Sequence, residues 1–289
     1  MASRWVAILK ASVHAIDDDN CLGLAAQLAF YFLLALFPAL LFLVALVGCL
    51  PIQNAMAELL SVLGTVAPRE VVDLLRAQLG DIARGGRVDV LTLGVAGAVW
   101  SSSAAMVAII DALNRAYRVA EWRPWWKRQL VAVALTLAFT VFTAISLSLI
   151  LIGPSVAARV ATWFGVGPMV AWAWYVLRWP TMIFLVVFGM DLVYHFAPNR
   201  KERWTWFTLG SLVATLLWIV SSFVFKWYIT NFGTYNATYG AIGGVIVVLL
   251  WLYVSGLAIL IGAELNGVIA RTSRQAADGA WSGPPFGDG

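Results

Sequence analysis

Charged side chains are the scarcest broad class in this sequence of 289 residues. Lys, Arg, Asp and Glu together make up 12% of it, while hydrophobic residues make up 62% and the mean hydropathy is +0.85. A soluble domain has about 25% charged and about 45–50% apolar residues. The composition therefore excludes a water-soluble globule, because too few polar side chains are available to cover one. Lipid must form part of the surroundings.

The sequence also lacks the motifs of the common catalytic sites. It has only two histidines, His14 and His195, and they stand far apart in the sequence. It contains no HExxH, no phosphate-binding GxxxxGK[ST] and no GxSxG. We therefore expect a protein that is not an enzyme, with no catalytic residues, metal or cofactor and no nucleotide hydrolysis of its own. An intramembrane enzyme of unfamiliar type is the alternative.

Basic residues do not indicate a nucleic acid partner, although the net charge is +4 and the pI is near 9.2. Lys and Arg stand in short stretches between apolar runs, as membrane topology alone requires. Their excess lies in both terminal segments and in the loops after the second and fourth apolar runs. We therefore expect no nucleic acid partner and a chain with both termini in the cytoplasm.

Six apolar runs are each long enough to cross a bilayer, which takes about 20 helical residues. They cover residues 22–50, 91–113, 130–152, 170–193, 206–225 and 241–261. The pattern predicts an all-α polytopic bundle of about six transmembrane helices. Pro38 is expected to bend the first of them. That first run is too long for a signal sequence, whose apolar region has about 7–15 residues, so we expect it to be retained.

The remaining segments have other patterns. Residues 1–21 have apolar side chains at helical spacing and predict a cytoplasmic interfacial helix before the membrane domain at 22–270. Within that domain, 51–90 predicts an extracytoplasmic amphipathic helix rather than a separate domain. Residues 271–289 are rich in Gly, Pro and Ser and predict a disordered cytoplasmic tail.

Three carboxylates stand at the ends of predicted spans, where a charge is a functional candidate by default. They are Asp111, Asp191 and Glu264, near the same face as the run Asp17–Asp19. Three arginines predicted near the same face could pair with them: Arg115, Arg118 and Arg200. One interpretation is a gate held by ion pairs. The other, which we favour here, is interfacial residues whose charges reach water.

Arg178 lies inside the fourth run or at its edge beside Trp179. Inside, it would bind an anionic headgroup or substrate; at the edge, it would anchor the helix at the interface. Ser101 begins a run of three serines that would line a polar path or, as we favour, hydrogen-bond within the bundle. Tyr235 and Asn236 belong to an uncharged polar stretch that predicts either a lid at the outer mouth or an ordinary aromatic belt.

Three blocks resemble the YihY/virulence factor BrkB family of bacterial inner-membrane proteins. The first is AAQLAFY at 25–31 followed by LFP at 36–38, which includes Tyr31 and Pro38. The second is DALNRAY at 111–117. The third and most specific runs from FGTYNATYG at 232–240, which includes Tyr239, through LWLY at 250–253 to GAELN at 262–266, which includes Asn266.

The resemblance covers roughly residues 10–270. It implies a six-helix protein of the bacterial plasma membrane with both termini inside, and it adds Tyr31, Pro38, Tyr239 and Asn266 to the candidates for a gate or substrate path. Members are linked to serum resistance, to envelope lipid export and, under an older label, to a tRNA ribonuclease. The residues do not support that label. Gln27 departs from the small or apolar residue that is usual there.

Together these observations predict a transporter-like protein that moves or gates a lipid or another amphipathic solute. Polar residues near the helix ends and an apolar middle suit such a cargo better than a bare ion. Membrane lipids are its expected partners. The alternative is a non-transporting envelope scaffold or assembly factor.

Overall fold

The computed structural model describes residues 2–48, 88–164, 167–200, 205–232 and 235–277. All regular structure in these ranges is helical, with no strand among them, which confirms the all-α class. The helices are α1 Ala2–Asp18, α2 Cys21–Gly48, α3 Val88–Ala116, α4 Trp125–Phe164, α5 Gly167–Phe196, α6 Leu209–Phe232 and α7 Tyr235–Ala277. Residues 51–87, which hold most of the predicted amphipathic segment, lie outside the described residues.

The apolar runs predicted as spans each coincide with one helix. Four helical stretches are long and apolar enough to cross a membrane, namely Trp125–Ser146, Trp179–Phe196, Leu209–Tyr228 and Val245–Arg274. The pair Trp5–Asp18 and Cys21–Leu36, bent by 61°, makes a fifth if it counts as one span. The predicted second span lies in α3. The described part of α3 contains Ser101–Ser103 and Asp111 and is not apolar enough to be among these candidate spans.

The outer faces of these helices fit lipid. Only 22–28% of the residues in the four stretches are buried inside the protein. Large apolar side chains such as Leu130, Phe184, Leu216 and Phe223 are exposed. In water such a surface would drive aggregation, whereas hydrocarbon accepts it.

Asn20 sets the break between α1 and α2. It has a φ of 50°, the left-handed conformation that Asn tolerates better than most residues. Its side-chain Oδ1 accepts a hydrogen bond of 3.3 Å from the backbone N–H of Gly23 and so caps α2. Helix α1 then packs on α7 through Ile8 and Ala15. Helices α1 and α2 therefore meet at a bend of 61°.

Small residues allow a close approach of α6 and α7. A Cβ on Gly210 would clash with the carbonyl oxygen of Gly262 and lie 2.5 Å from Cγ of Asn266. A Cβ on Gly262 would clash with the carbonyl oxygen of Gly210 and lie 2.7 Å from Cβ of Ala214. Helices in lipid associate by such packing of backbones rather than by the hydrophobic effect.

Helix α7 extends to Ala277 and so includes the first residues of the segment predicted as a tail from residue 271. The reason is local, because Arg274 and the two alanines that end α7 are good helix formers and glycine first appears at position 279. Residues 278–289 lie outside the described residues.

The chain divides into two compact units. Unit 1 comprises Met1–Leu33, Val107–Val131 and Met190–Gly289, and unit 2 comprises Leu34–Met106 and Ala132–Gly189. Unit 2 contains a cluster of Phe142, Phe184 and Phe188, with Gly189 leaving room for the Phe142 ring. The charged side chains that form ion pairs in the described ranges all belong to unit 1.

Candidate functional site

Glu264 is the centre of a polar network in unit 1. Its side chain, on α7, is 0% exposed. The thiol of Cys21 lies 3.8 Å from Oε1 as a weak donor. Oε2 lies 4.0 Å from Nη2 of Arg271, too far for a hydrogen bond, and accepts none from any described residue. A fully buried carboxyl group with one oxygen left without a donor is costly and calls for an explanation.

Asp19 and Arg118 bring the α1–α2 break and the end of α3 to the same place. Nε of Arg118 lies 3.7 Å from Oδ2 of Asp19, and its Nη2 lies 3.8 Å from Oδ2 of Asp18. The Asp19 side chain is 16% exposed, and its Oδ2 is buried without a hydrogen-bond donor among the described groups. The carboxyl groups of Asp19 and Glu264 are within hydrogen-bonding reach of each other.

Arg271 joins α7 to the end of α3. Its Nη1 donates a hydrogen bond of 3.3 Å to the carbonyl oxygen of Ala116, the last residue of α3. A cation at a helix C-terminus satisfies free carbonyl groups and the negative end of the helix dipole. Glu264, Asp19, Arg118 and Arg271 therefore connect three parts of the chain that are far apart in sequence.

Asp191 accepts a set of hydrogen bonds near the end of α5. It forms no ion pair within the described ranges, although the sequence placed it among the gate candidates. Its buried carboxylate accepts hydrogen bonds from the N–H of Phe207 at 2.8 Å and from the N–H and hydroxyl of Thr208 at 3.2 and 2.7 Å. Thr208 in turn caps α6 by accepting from the N–H of Ser211. Asp191 thus holds the start of α6 against the end of α5.

Asn266 connects α7 to the same region. Its Oδ1 accepts a 2.8 Å hydrogen bond from the N–H of Gly210, and its Nδ2 donates to Oγ1 of Thr208 at 3.0 Å and to the hydroxyl of Tyr117 at 3.4 Å. The guanidinium of Arg200 stacks 4.1 Å from the centre of the Tyr117 ring. Asn266, two residues after Glu264 on α7, thus connects α7 to the start of α6 and to Tyr117.

Asp111 forms an exposed pair. Its Oδ1 accepts a 2.9 Å hydrogen bond from Nη1 of Arg128, in the first turn of α4, and both side chains are partly exposed. Such surface pairs contribute about 0–1 kcal/mol. Within the described residues Asp111 therefore matches the interfacial interpretation more closely than Glu264 does.

The loop that follows α3 contains an anchor that the sequence did not suggest. Glu121 receives hydrogen bonds from Nδ2 of Asn114 at 2.7 Å and from the guanidinium of Arg123 at 2.6 and 2.8 Å. Asn114 also accepts from the N–H of Asn199, and Arg123 donates to the carbonyl oxygen of Ala197. The only signal in the sequence was a cluster of polar side chains around a short loop.

Burial alone would raise the pKa of Glu121, but the hydrogen bonds from Arg123 and Asn114 outweigh it and hold the pKa below its ordinary value of 4.5. A carboxylate with a lowered folded-state pKa adds stability that is present above pH 4.5 and is lost as the pH falls through the folded pKa. We expect the melting temperature in detergent to fall below about pH 4.5, and to fall less in Glu121→Gln. Equal acid sensitivity in both proteins would contradict this.

The other predicted residues whose side chains the structure describes make no contact with this network. Ser102 and Ser103 donate back to the carbonyl oxygens of Val99 and Trp100, while Ser101 is exposed on α3. Tyr31 and Pro38 are half-buried in α2. The backbones of Arg178, Tyr235, Asn236 and Tyr239 lie in helices α5 and α7, and their side chains lie outside the described residues. Among the side chains the structure describes, no group of three His, Cys, Asp or Glu could hold a metal ion.

Comparison with known proteins gives consistent results. The chain is 32% identical over 250 residues to the putative ribonuclease-like protein YfkH of Bacillus subtilis, covering 86% of this chain and 90% of that one. It is 27% identical over 286 residues to a UPF0761 membrane protein of Ralstonia nicotianae and 26% identical over 284 residues to one of Nitrosospira multiformis. These alignments cover 97% and 91% of this chain but only 62% and 63% of those relatives.

No solved structure matches the chain. The family model described as Virulence factor BrkB matches residues 12–284, almost the whole sequence, and confirms the resemblance seen in the three blocks. This multi-pass membrane protein therefore belongs to the Virulence factor BrkB family.

Proposed function

We propose that the protein is a transporter-like membrane protein that moves or gates a lipid or another amphipathic solute without hydrolysing nucleotides. One observation carries the proposal. Glu264 is an ionisable residue, fully buried, inside the stretch Val245–Arg274 that is long and apolar enough to cross a membrane. Ionisable groups in such a position are expensive and typically mark a substrate or ion pathway.

The chemistry of unit 1 favours an amphipathic cargo. Its charged side chains gather at the ends of helices, whereas the rest of these helices is apolar and exposed. A charged headgroup could interact with Arg118 and Arg271, and acyl chains with the apolar helix faces. We place this charged end, with both chain termini, on the cytoplasmic side of a bacterial plasma membrane, in accordance with the distribution of Lys and Arg.

The ion pairs around Glu264 are suited to act as a gate. Arg118 and Arg271 lie 3.7–4.0 Å from their carboxylate partners, so these pairs are electrostatic contacts without close hydrogen bonds. The Arg118 pairs connect the segment after α3 to the end of α1, whereas Arg271 and Glu264 both belong to α7. The Arg118–Asp18 pair separates at low cost, because both side chains are exposed and exposed ion pairs are worth about 0.2–1 kcal/mol.

Reconstitution with fluorescent lipids tests the proposal. We expect the wild-type protein to change lipid distribution across liposomes, and Arg118→Gln to raise the basal rate about threefold to fivefold because it weakens the closed gate. The matched control is Arg128→Gln, which removes a partly exposed arginine whose partner is also an aspartate but which lies outside the network. Its rate should stay within about twofold of wild type.

The outcomes separate the alternatives. An unchanged lipid distribution for several headgroups would exclude transport of these lipids. Capture of a stoichiometric partner that depends on residues 51–90 would then support the envelope scaffold. A wild-type flux that Arg118→Gln leaves unaltered would retain transport and reject this gate.

A further inference from the structure

We propose that Asp19 and Glu264 bind one proton between them, so that a shared proton joins the α1–α2 break to α7 at neutral pH. The site is a pair of facing carboxyl groups, and its ligand is a proton. The role of this proton as a coupling ion rests on the proposed transport function. The binding of the proton itself is a property of the purified protein and can be measured without any transport.

The hydrogen-bonding pattern supports the shared proton. Only two carboxylate oxygens in the described residues are buried and without a donor, Oδ2 of Asp19 and Oε2 of Glu264. They belong to neighbouring side chains within hydrogen-bonding reach. A proton on either group makes it a donor to the other, and an O–H···O⁻ hydrogen bond is among the stronger ones in proteins. One proton therefore gives both buried oxygens a hydrogen-bond partner. Each oxygen left without a partner would cost about 1–3 kcal/mol or more.

The charged and titratable groups that face the pair are Asp18, Cys21, Arg118 and Arg271. Cys21 contacts the other oxygen of Glu264, so it does not replace the missing donor. The two arginines are 3.7 and 4.0 Å from the carboxylate oxygens and donate to neither. Their side chains are 51% and 30% exposed, so water screens much of their charge. Two carboxylates held this close in a buried place favour binding of one proton.

A metal ion fits this place less well than a proton. Calcium takes 6–8 oxygen ligands, and magnesium requires near-octahedral coordination. The described side chains offer no group of three His, Cys, Asp or Glu for a metal ion. Arg118 and Arg271 would also repel a cation placed between the carboxyl groups. A proton needs two oxygens and little space.

The proton would link the charge state of the site to the gate. With the proton bound, Asp19 and Glu264 attract each other and hold the α1–α2 break against α7. When it leaves, two neighbouring carboxylates repel each other and the contact between these elements weakens. No covalent bond between heavy atoms changes in this step; a proton passes to water and one carboxyl group becomes a carboxylate.

Infrared spectroscopy of the full-length protein in detergent at pH 7 tests the site. We expect a C=O stretching band of a protonated carboxyl group that shifts in D₂O. The band should be lost in Glu264→Gln, whose amide donates to Asp19 in place of the proton, and also in Asp19→Asn. The control Asp111→Asn removes a carboxylate of the exposed pair and should leave the band unchanged. A spectrum without the band, or a band that persists in both site variants, would overturn the proposal.

Two further measurements complete the test. Glu264→Gln should keep a melting temperature within a few degrees of wild type, because the amide supplies the donor; a loss like that of an unpaired buried group would contradict the shared proton. Calorimetry with sodium, magnesium or calcium chloride should show no binding that Glu264→Gln abolishes, and such binding would replace the proton by a metal cation. If the infrared band is present but lipid flux is absent, the proton site stands and the transport proposal fails.

Discussion

Replacing Gly262 with alanine is expected to lower the free energy of unfolding by about 3 kcal/mol or more. The added methyl group would meet the carbonyl oxygen of Gly210, lie 2.5 Å from the hydroxyl of Tyr194 and lie 2.7 Å from Cβ of Ala214. The first of these neighbours is backbone, so the helices α6 and α7 must move apart. Movement would also strain the 2.6 Å hydrogen bond from Tyr194 to the carbonyl oxygen of Ile259. The melting temperature in detergent should fall by roughly 6–12 °C.

Gly97→Ala is the matched control. Gly97 is also helical, in α3, but a Cβ built there has no neighbour within 4 Å. Alanine is preferred over glycine in a helix by about 0.5–1 kcal/mol, so this variant should melt at the same temperature as wild type or slightly higher. If Gly262→Ala and Gly97→Ala had equal stability, the close contact of α6 and α7 would be wrong.

The helices could be predicted from the sequence because lipid leaves few choices. Backbone groups in hydrocarbon must be paired within the segment, so each long apolar run becomes a helix. The ends could not be predicted in the same way. Helix α7 continues past the apolar run at 241–261 to Ala277, and α4 begins at Trp125, five residues before the run at 130–152. A helix has no physical reason to stop where hydropathy falls, and it ends where capping or glycine favours an end.

The candidate site could be predicted only in part. The sequence indicated charges at helix ends, and the structure does place Arg118 beside Asp18 and Asp19, one of the pairings considered. Spacing along a helix predicts how deep in the membrane a residue lies, but it does not predict which neighbouring helix packs against that residue. The contact between Cys21 and Glu264, which are 243 positions apart, therefore had no signal in the sequence.

The same limit explains the partners that were missed. Glu264 lies 4.0 Å from Arg271 and Asp111 pairs with Arg128, and neither of these arginines was among the partners that the sequence suggested. Asp191 was grouped with them because hydropathy treats every carboxylate at a helix end alike. Whether such a group pairs with arginine or caps a neighbouring helix depends on which backbone N–H groups the fold turns toward it.

Asp191→Ala is expected to destabilise the protein by about 4 kcal/mol or more. The buried carboxylate accepts three hydrogen bonds from Phe207 and Thr208, and hydrogen bonds to charged groups contribute about 1.5–3 kcal/mol each. Alanine would leave the two backbone N–H groups without that acceptor. Phe207 also has a φ of 54°, an unfavourable conformation for a bulky residue that these hydrogen bonds help to hold.

The variant Asp191→Asn distinguishes a structural role of Asp191 at the start of α6 from a role in the transport path. Its amide oxygen can still accept from Thr208, but its NH₂ group would face the N–H of Phe207, so we expect about half the loss seen with alanine. Asp111→Asn, at an exposed ion pair, should change stability by less than about 1 kcal/mol. The measurement is thermal unfolding in detergent with lipid flux on the same preparations. If Asp191→Asn kept wild-type stability and lost flux, Asp191 would be part of the transport path and not a cap for α6. A loss of stability that tracks the loss of flux would instead show that α6 depends on Asp191 for its position at the end of α5.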